Sequence, residues 1–286
     1  MRPNSEYLEK SSAFWAYAKL LSEQLGYSRG NKVLSYSKTQ AVAKLHQIGI
    51  NTDNSILEDV LDYLEYRADI LNTTVQHNLM DLPIARQTFY KVYEFYKQNR
   101  FTSGLPFNKQ KNEKKDVAYF TGIINIVTEK TLREFARTNN LDYGTDVVYD
   151  FNPMNLSYFL SENKSLEGIM SRRFDGAYPS IVNPSLIWEI KEYYYTTTFG
   201  SRIADGVYET QLDGYEVKTI RVETGHKMKH IYFIDAYDTW WNMGKSYLCR
   251  IMDMLHTGLV DEVIVGKEVF ERWPKVLQNT LEKQLK

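Results

Sequence analysis

The chain is predicted to be an α/β protein, a mixed sheet flanked by helices, with an α-helical region ahead of it. Three observations predict this. The first third carries its apolar residues at helical spacing. The second half alternates short apolar runs with helical patterns, the pattern of a sheet covered by helices. Between them, Phe107 to Asp116 is polar and rich in lysine, follows the Gly104/Pro106 break and reads as a linker. The expected division is a helical region at 1–106 and a second unit at 117–286.

Each element has a local reason. Phe14, Ala18, Leu21 and Leu25 line one helix face, and Gly26 stops that helix. Ser37-Lys38-Thr39-Gln40 has capping-box spacing ahead of Val42, Leu45 and Ile48, and Gly49 ends that helix. A third helix runs from about Asn54 to Ala68 and a fourth from Leu82 to Gln98. The pair around Gly49 reads as two antiparallel bundle helices or as a helix-turn-helix. Residues 117–139 form one apolar helix. Arg173 to Tyr178 and Leu186 to Tyr193 are paired strands, with Pro179 and Pro184 in the connection. A helix at 202–218, a strand at 230–235, a helix from Tyr237 to Leu255, a strand at 261–265 and a helix from about Lys267 complete the chain.

Composition narrows the function classes. A formal net charge of −1 excludes a strongly basic nucleic-acid coat but not a local groove around an acidic site. The 22 Tyr and 5 Trp fill cores and also suit base stacking. Cys249 is the only cysteine, which excludes an internal disulfide and a cysteine zinc cluster, and its apolar helical setting predicts a buried thiol. The residues after Met1 show no secretory signal and no run is long enough to span a bilayer, so a cytoplasmic location is expected.

The chemistry gathers at Glu189-Ile190-Lys191. A strand sends side chains to alternate faces, so Glu189 and Lys191 share one face while Trp188 and Ile190 take the other. With Asp175 on the neighbouring strand, two carboxylates and an ammonium can hold Mg²⁺ and an attacking water against a phosphodiester. The competing reading is an edge strand whose Glu and Lys face solvent.

Asp175, Glu189 and Lys191 together resemble the signature of the PD-(D/E)xK, or restriction-endonuclease-like, nucleases over roughly residues 172–238. Phe174 stands where the motif's name has proline. The resemblance implies a restriction-endonuclease-like sheet, Asp175 and Glu189 as ligands of Mg²⁺, and Lys191 as the residue that orients the water. It also implies an acidic residue on the upstream helix, for which Glu134 is the choice and Glu129 the reserve. Gln211 and Tyr215 match the Gln-x-x-x-Tyr pattern of some members; the same spacing also makes a polar helix face. A type II restriction endonuclease, acting as a homodimer on double-stranded DNA, is the member it most resembles. A nonspecific repair or phage-type nuclease and a non-catalytic DNA-binding protein are the alternatives.

The residues after the strand, Tyr193, Tyr195 and Arg202 among them, are expected to meet DNA phosphates, or else to pack and turn. Gly244-Lys245-Ser246 lacks the first glycine of a P-loop, and His226 and His230 flank a basic loop, so neither ATP nor zinc is expected. Asp235 is a reserve acidic residue at a strand end, and Asp238 is placed to N-cap the next helix.

Overall fold

The computed structural model describes residues 1–108 and 116–285. Most of the expected linker, 109–115, lies outside the described residues. The chain begins with helices α1 (Ser5–Leu8), α2 (Ser12–Leu25), α3 (Lys38–Gln47) and α4 (Asn54–Ile70). Ser11 caps α2 by accepting the Phe14 amide, and the Ser37/Gln40 capping box starts α3 as its spacing predicts. Phe14, Trp15, Leu21, Leu45, Val60 and Tyr63 close a small core of their own, so α2, α3 and α4 form a bundle. A short hairpin between α2 and α3, β1 (Ser28–Arg29) and β2 (Lys32–Val33), has no counterpart in the expected elements. A π-helical turn (Leu71–Val75) carries α4 into the single turn α5 (Gln76–Asn78).

Helix α6 (Leu82–Gln98) packs with α7 (Tyr119–Thr138) and not with the N-terminal bundle. Phe89 of α6 shares one core with Phe120, Ile123 and Ile124 of α7. Gly122 makes that approach possible: a methyl there would stand 2.6 Å from the Phe89 ring. The N-terminal bundle therefore ends before α6, and the expected border at residue 106 is too late.

A four-stranded sheet organises the remainder. β5 (Gly176–Tyr178) pairs antiparallel with β6 (Leu186–Glu192). β6 pairs parallel with β7 (Lys229–Asp235), and β7 parallel with β8 (Glu262–Val265). The hairpin β3 (Tyr158–Leu160) and β4 (Leu166–Ile169) forms a separate two-stranded sheet. Helix α8 (Ser201–Thr224) makes the crossover between the parallel strands β6 and β7, with α9 (Lys245–His256) and α10 (Val269–Gln284) following the later strands. Trp188, Ile231, Phe233 and Ile264 bury one face of the sheet under α7 and α10. Tyr232, Ile234, Val263 and Val265 bury the other with residues of α8, α9 and the end of the N-terminal bundle. The result is a helix–sheet–helix sandwich in which β6 is an internal strand.

The expected continuous helix from Tyr237 to Leu255 is broken. A π-helical turn (Asp238–Met243) precedes α9, and Gly244 separates them. A side chain at Gly244 would meet the Phe199 ring at 2.5 Å and the Thr239 carbonyl at 2.8 Å. Asp238 does not N-cap a helix; it accepts from Asn242 Nδ2 at 2.6 Å. Among the described residues no helix is long and apolar enough to cross a membrane.

Candidate active site

A cleft of about 730 Å³ opens at the C-terminal end of β6. Asp175, Glu189, Lys191, Glu192 and Tyr193 form one wall, and Arg202, Asp205 and Glu209 of α8 form another. The start of α7 lines it through Ala118 and Thr121. Crevices at strand C-termini of open α/β sheets are where ligands commonly bind.

The strand geometry behaves as the alternation predicts. Trp188 and Ile190 pack on the α7 side, and Glu189 and Lys191 turn toward α8. The edge-strand reading fails, because β6 is internal and the Glu189 side chain is only 5 % exposed. Lys191 Nζ donates to Glu189 Oε1 at 2.5 Å. Gly206 on α8 gives the lysine room, since a methyl there would stand 3.2 Å from Lys191 Cε and 2.9 Å from Tyr193 Oη. Burial pulls the Lys191 ammonium down, but the Glu189 charge and hydrogen bond, with Tyr193 and Asp175, together hold the group above the usual lysine range. Lys191 is thus a fixed cation and hydrogen-bond donor.

Asp175 reaches the same place from the turn into β5. Its amide donates to the Trp188 carbonyl at 3.0 Å, and its Oδ2 accepts from the Ile190 amide at 2.7 Å. Solvent reaches the residue from the cleft while protein surrounds the carboxyl on its other sides. That enclosure and the Glu189 charge push the carboxyl up to about 7.

The sequence reading missed a second tier. Arg172 donates to Asp213 at 2.6 Å and to Glu189 at 3.2 Å, and stands 3.1 Å from Glu209. Asp213 is buried on α8, and burial pushes it up to about 7 against the pull of Arg172. Asp205, Glu209 and Asp213 fall at helical spacing on one face of α8, a signal visible in the sequence beside Gln211.

Several expected site residues are elsewhere. Gln211 and Tyr215 line a different depression with Lys19, Glu23 and Tyr27, because α8 turns Asp213 toward the cleft instead. Glu134 is a solvated charge near Lys130, thirteen residues beyond Thr121, where α7 meets the cleft, hence about 20 Å along the helix axis. Glu129 is buried, accepting the Thr102 and Ser103 amides and pairing with Arg133. Upstream-helix acidity is therefore absent from the cleft, since Glu129 and Glu134 are the only acids of α7. Glu192 touches α7 instead, its carboxylate accepting the amides of Phe120 at 2.9 Å and Thr121 at 3.1 Å. Tyr193 and Arg202 line the cleft, whereas Tyr195 bonds to Asp116. Asp235 is a structural anchor, accepting the Met80 amide and the Tyr194 hydroxyl. Cys249 is buried as foreseen, and His230 is buried against the Leu259 carbonyl, apart from His226, which meets Glu167.

Among the described residues, Asp175, Glu189, Glu192, Asp205 and Glu209 line the cleft with Lys191 and Arg202. Arg172 and Lys191 both meet Glu189 through Oε1. Among the described residues no group of three or more His, Cys, Asp or Glu side chains stands close enough to hold a metal alone. Mg²⁺ is commonly bound by one or two carboxylates, with substrate and water completing its shell. Asp175 and Glu189 are the two cleft carboxylates that could take that part.

No curated protein and no solved structure matches the chain. Residues 1–74 match a family model described as a domain of unknown function, DUF7690, which stops where the N-terminal bundle gives way to α6. Residues 80–280 match a second, the domain of unknown function DUF7687, and since this covers more than half of the chain, the protein belongs to that family.

Proposed function

We propose that the protein is a Mg²⁺-dependent endonuclease that hydrolyses phosphodiesters of double-stranded DNA with an activated water. One observation carries the reading: Asp175 from the turn into β5 meets Glu189 and Lys191 of β6 in one cleft. Asp175 and Glu189 would hold the metal, which when bound lowers the pKa of water and offsets charge on the phosphate. Lys191 supplies a proton-bearing Nζ that orients the water and adds positive charge where the transition state gathers negative charge. Arg172 and Gly206 position Glu189 and Lys191. Arg202 at the mouth suits a flanking phosphate. A sequence-specific, type II restriction enzyme acting as a homodimer is the form the motif resemblance favours.

The test is digestion of long unmodified DNA with and without Mg²⁺, beside Lys191→Ala and Asp175→Ala. Discrete Mg²⁺-dependent bands, lost in both variants, are expected. A Mg²⁺-dependent smear would keep the chemistry and replace sequence specificity with nonspecific or structure-directed cutting. Cleavage at the wild-type rate by either variant would show the site assignment to be wrong.

A further inference from the structure

Helix α8 carries the cleft residues on one side and an unusual stripe on the other. Tyr208, Leu212, Tyr215, Thr219 and Val222 follow one another at intervals of four, three, four and three. All are exposed, with Tyr208 at 44 %, Leu212 at 65 %, Tyr215 at 54 % and Val222 at 85 %. An ordinary surface helix places charged and polar residues there. The opposite face of α8 is already buried through Ile203, Val207, Val217 and Ile220, so the stripe has no role in the core of its own chain. Its spacing is the a/d repeat of a two-stranded coiled coil, with Leu212 and Thr219 at a and Tyr208, Tyr215 and Val222 at d.

We infer that this stripe is a self-association surface, where α8 of a second copy packs parallel to α8 of the first. The flanking charges select both the partner and the direction. Glu209, Glu216 and Glu223 occupy the e positions, Glu209 meeting Arg172 and Glu216 accepting the Ser171 amide in their own chain, and Gln211 and Lys218 occupy the g positions. In a parallel pair each g residue faces the e residue five places on in the other copy, which sets Lys218 against Glu223 and Gln211 against Glu216. An antiparallel pair would set glutamate against glutamate. Lys218 is exposed, and its ammonium donates to the Thr257 carbonyl at 2.7 Å, a bond it would exchange for Glu223 of the second copy. A depression of about 440 Å³, lined by Tyr208, Gln211 and Tyr215 with residues of α2 and α9, runs beside the stripe. The helix spans 24 residues, about 36 Å, so two heptads fit with turns to spare. Such a contact is small for a specific interface, so the dimer should dissociate on dilution.

This inference names the surface of the homodimer that the proposed function calls for, yet its test does not pass through cleavage. Sedimentation equilibrium over a concentration series is expected to show a monomer–dimer equilibrium for the wild type. Leu212→Glu should shift it to monomer while leaving the thermal melt unchanged, because Leu212 is exposed. Tyr208→Cys and Val222→Cys, each made alone, should give disulfide-linked dimers on oxidation, since d residues face their own counterparts in a parallel pair. The buried Cys249 does not compete. A wild type that stays monomeric into the high micromolar range would overturn the proposal. So would a dimer that survives Leu212→Glu, or cross-linking only when the two cysteine variants are mixed, which marks an antiparallel pair.

Discussion

Arg172 holds Asp213 at 2.6 Å and, with the same guanidinium, Glu189 at 3.2 Å, so a buried residue of α8 is tied to the carboxylate of β6 that faces the cleft. One cation thus serves the expected metal ligand and a residue with no place in the resembled motif. Arg172→Met should let Glu189 and Asp213 move apart and leave Asp213 buried without its partner. Asp213→Asn in the same background should cost less than in the wild type. A double-mutant cycle by urea denaturation is expected to return a coupling of about 1–2 kcal/mol, reduced because the Arg172 side chain is 31 % exposed. Independent, additive effects would mean that the pair does not position Glu189.

The same carboxylate sets a pH dependence. Burial pushes Asp213 up to about 7 from an ordinary 3.8, despite Arg172 beside it. A folded state that keeps the proton longer than the unfolded state loses stability as pH rises between those two values. Its contribution is full below about 4 and gone above about 7, with a slope of up to about 1.4 kcal/mol per pH unit. Asp213→Asn should flatten the stability profile across that window. Asp175 and Asp235, also raised to about 7, leave a residual slope in the variant. A profile unchanged by Asp213→Asn would show that Asp213 ionises freely.

The contrast between Lys191 and Gln211 explains what could be read from the sequence. Strand periodicity is two, so once β6 is assigned the sides of Glu189, Lys191, Trp188 and Ile190 are fixed, and the structure keeps them. Helix phase is less constrained by so short a motif. Gln211 and Asp213 lie two residues apart in sequence but stand about 200° apart around α8, and only packing against β6 and β7 decides which one turns inward to Arg172. Glu134 satisfies helix membership alone, and distance along the axis removes it from the site. The ends of elements bounded by capping signals, α2 and α3, were legible for the same reason as the strand faces: the cause is local. The border between the units was not, because the tie of α6 to α7 rests on Phe89 meeting a gap at Gly122 more than thirty residues away.

Glu192 makes the junction of β6 and α7 testable. α7 has no side-chain cap on its N-cap residue, Ala118, and the carboxylate of Glu192 takes the amides of Phe120 and Thr121 and the Thr121 hydroxyl. Burial nevertheless lifts the Glu192 pKa above the usual carboxylate range. Glu192→Ala should destabilise the protein by about 1–3 kcal/mol, as removal of a buried acceptor does. Hydrogen exchange should accelerate first at the amides of Phe120 and Thr121. Uniform acceleration across α7 would assign the loss to packing and not to the cap.

The N-terminal bundle is fastened to the sheet unit by another buried pair. Arg67 Nη1 donates to Asp253 of α9 at 3.0 Å, Tyr63 donates to the same carboxylate at 2.5 Å, and Arg67 Nη2 reaches Ser22 at 2.7 Å. Arg67 is fully buried, so losing one partner leaves a charge with nothing to offset it. Arg67→Met is expected to cost about 3–5 kcal/mol, whereas Tyr63→Phe, which removes one bond and keeps the ring, should cost about 1 kcal/mol. Replacing both ends, Arg67→Met with Asp253→Leu, should recover much of the loss, because paired buried charges exchange for apolar groups at little net cost. Limited proteolysis of Arg67→Met should cut first near residues 75–80, where the family models also part, and release an intact sheet unit. If the double variant is no more stable than Arg67→Met, the fastening lies in the shape of the apolar contact and not in the ion pair.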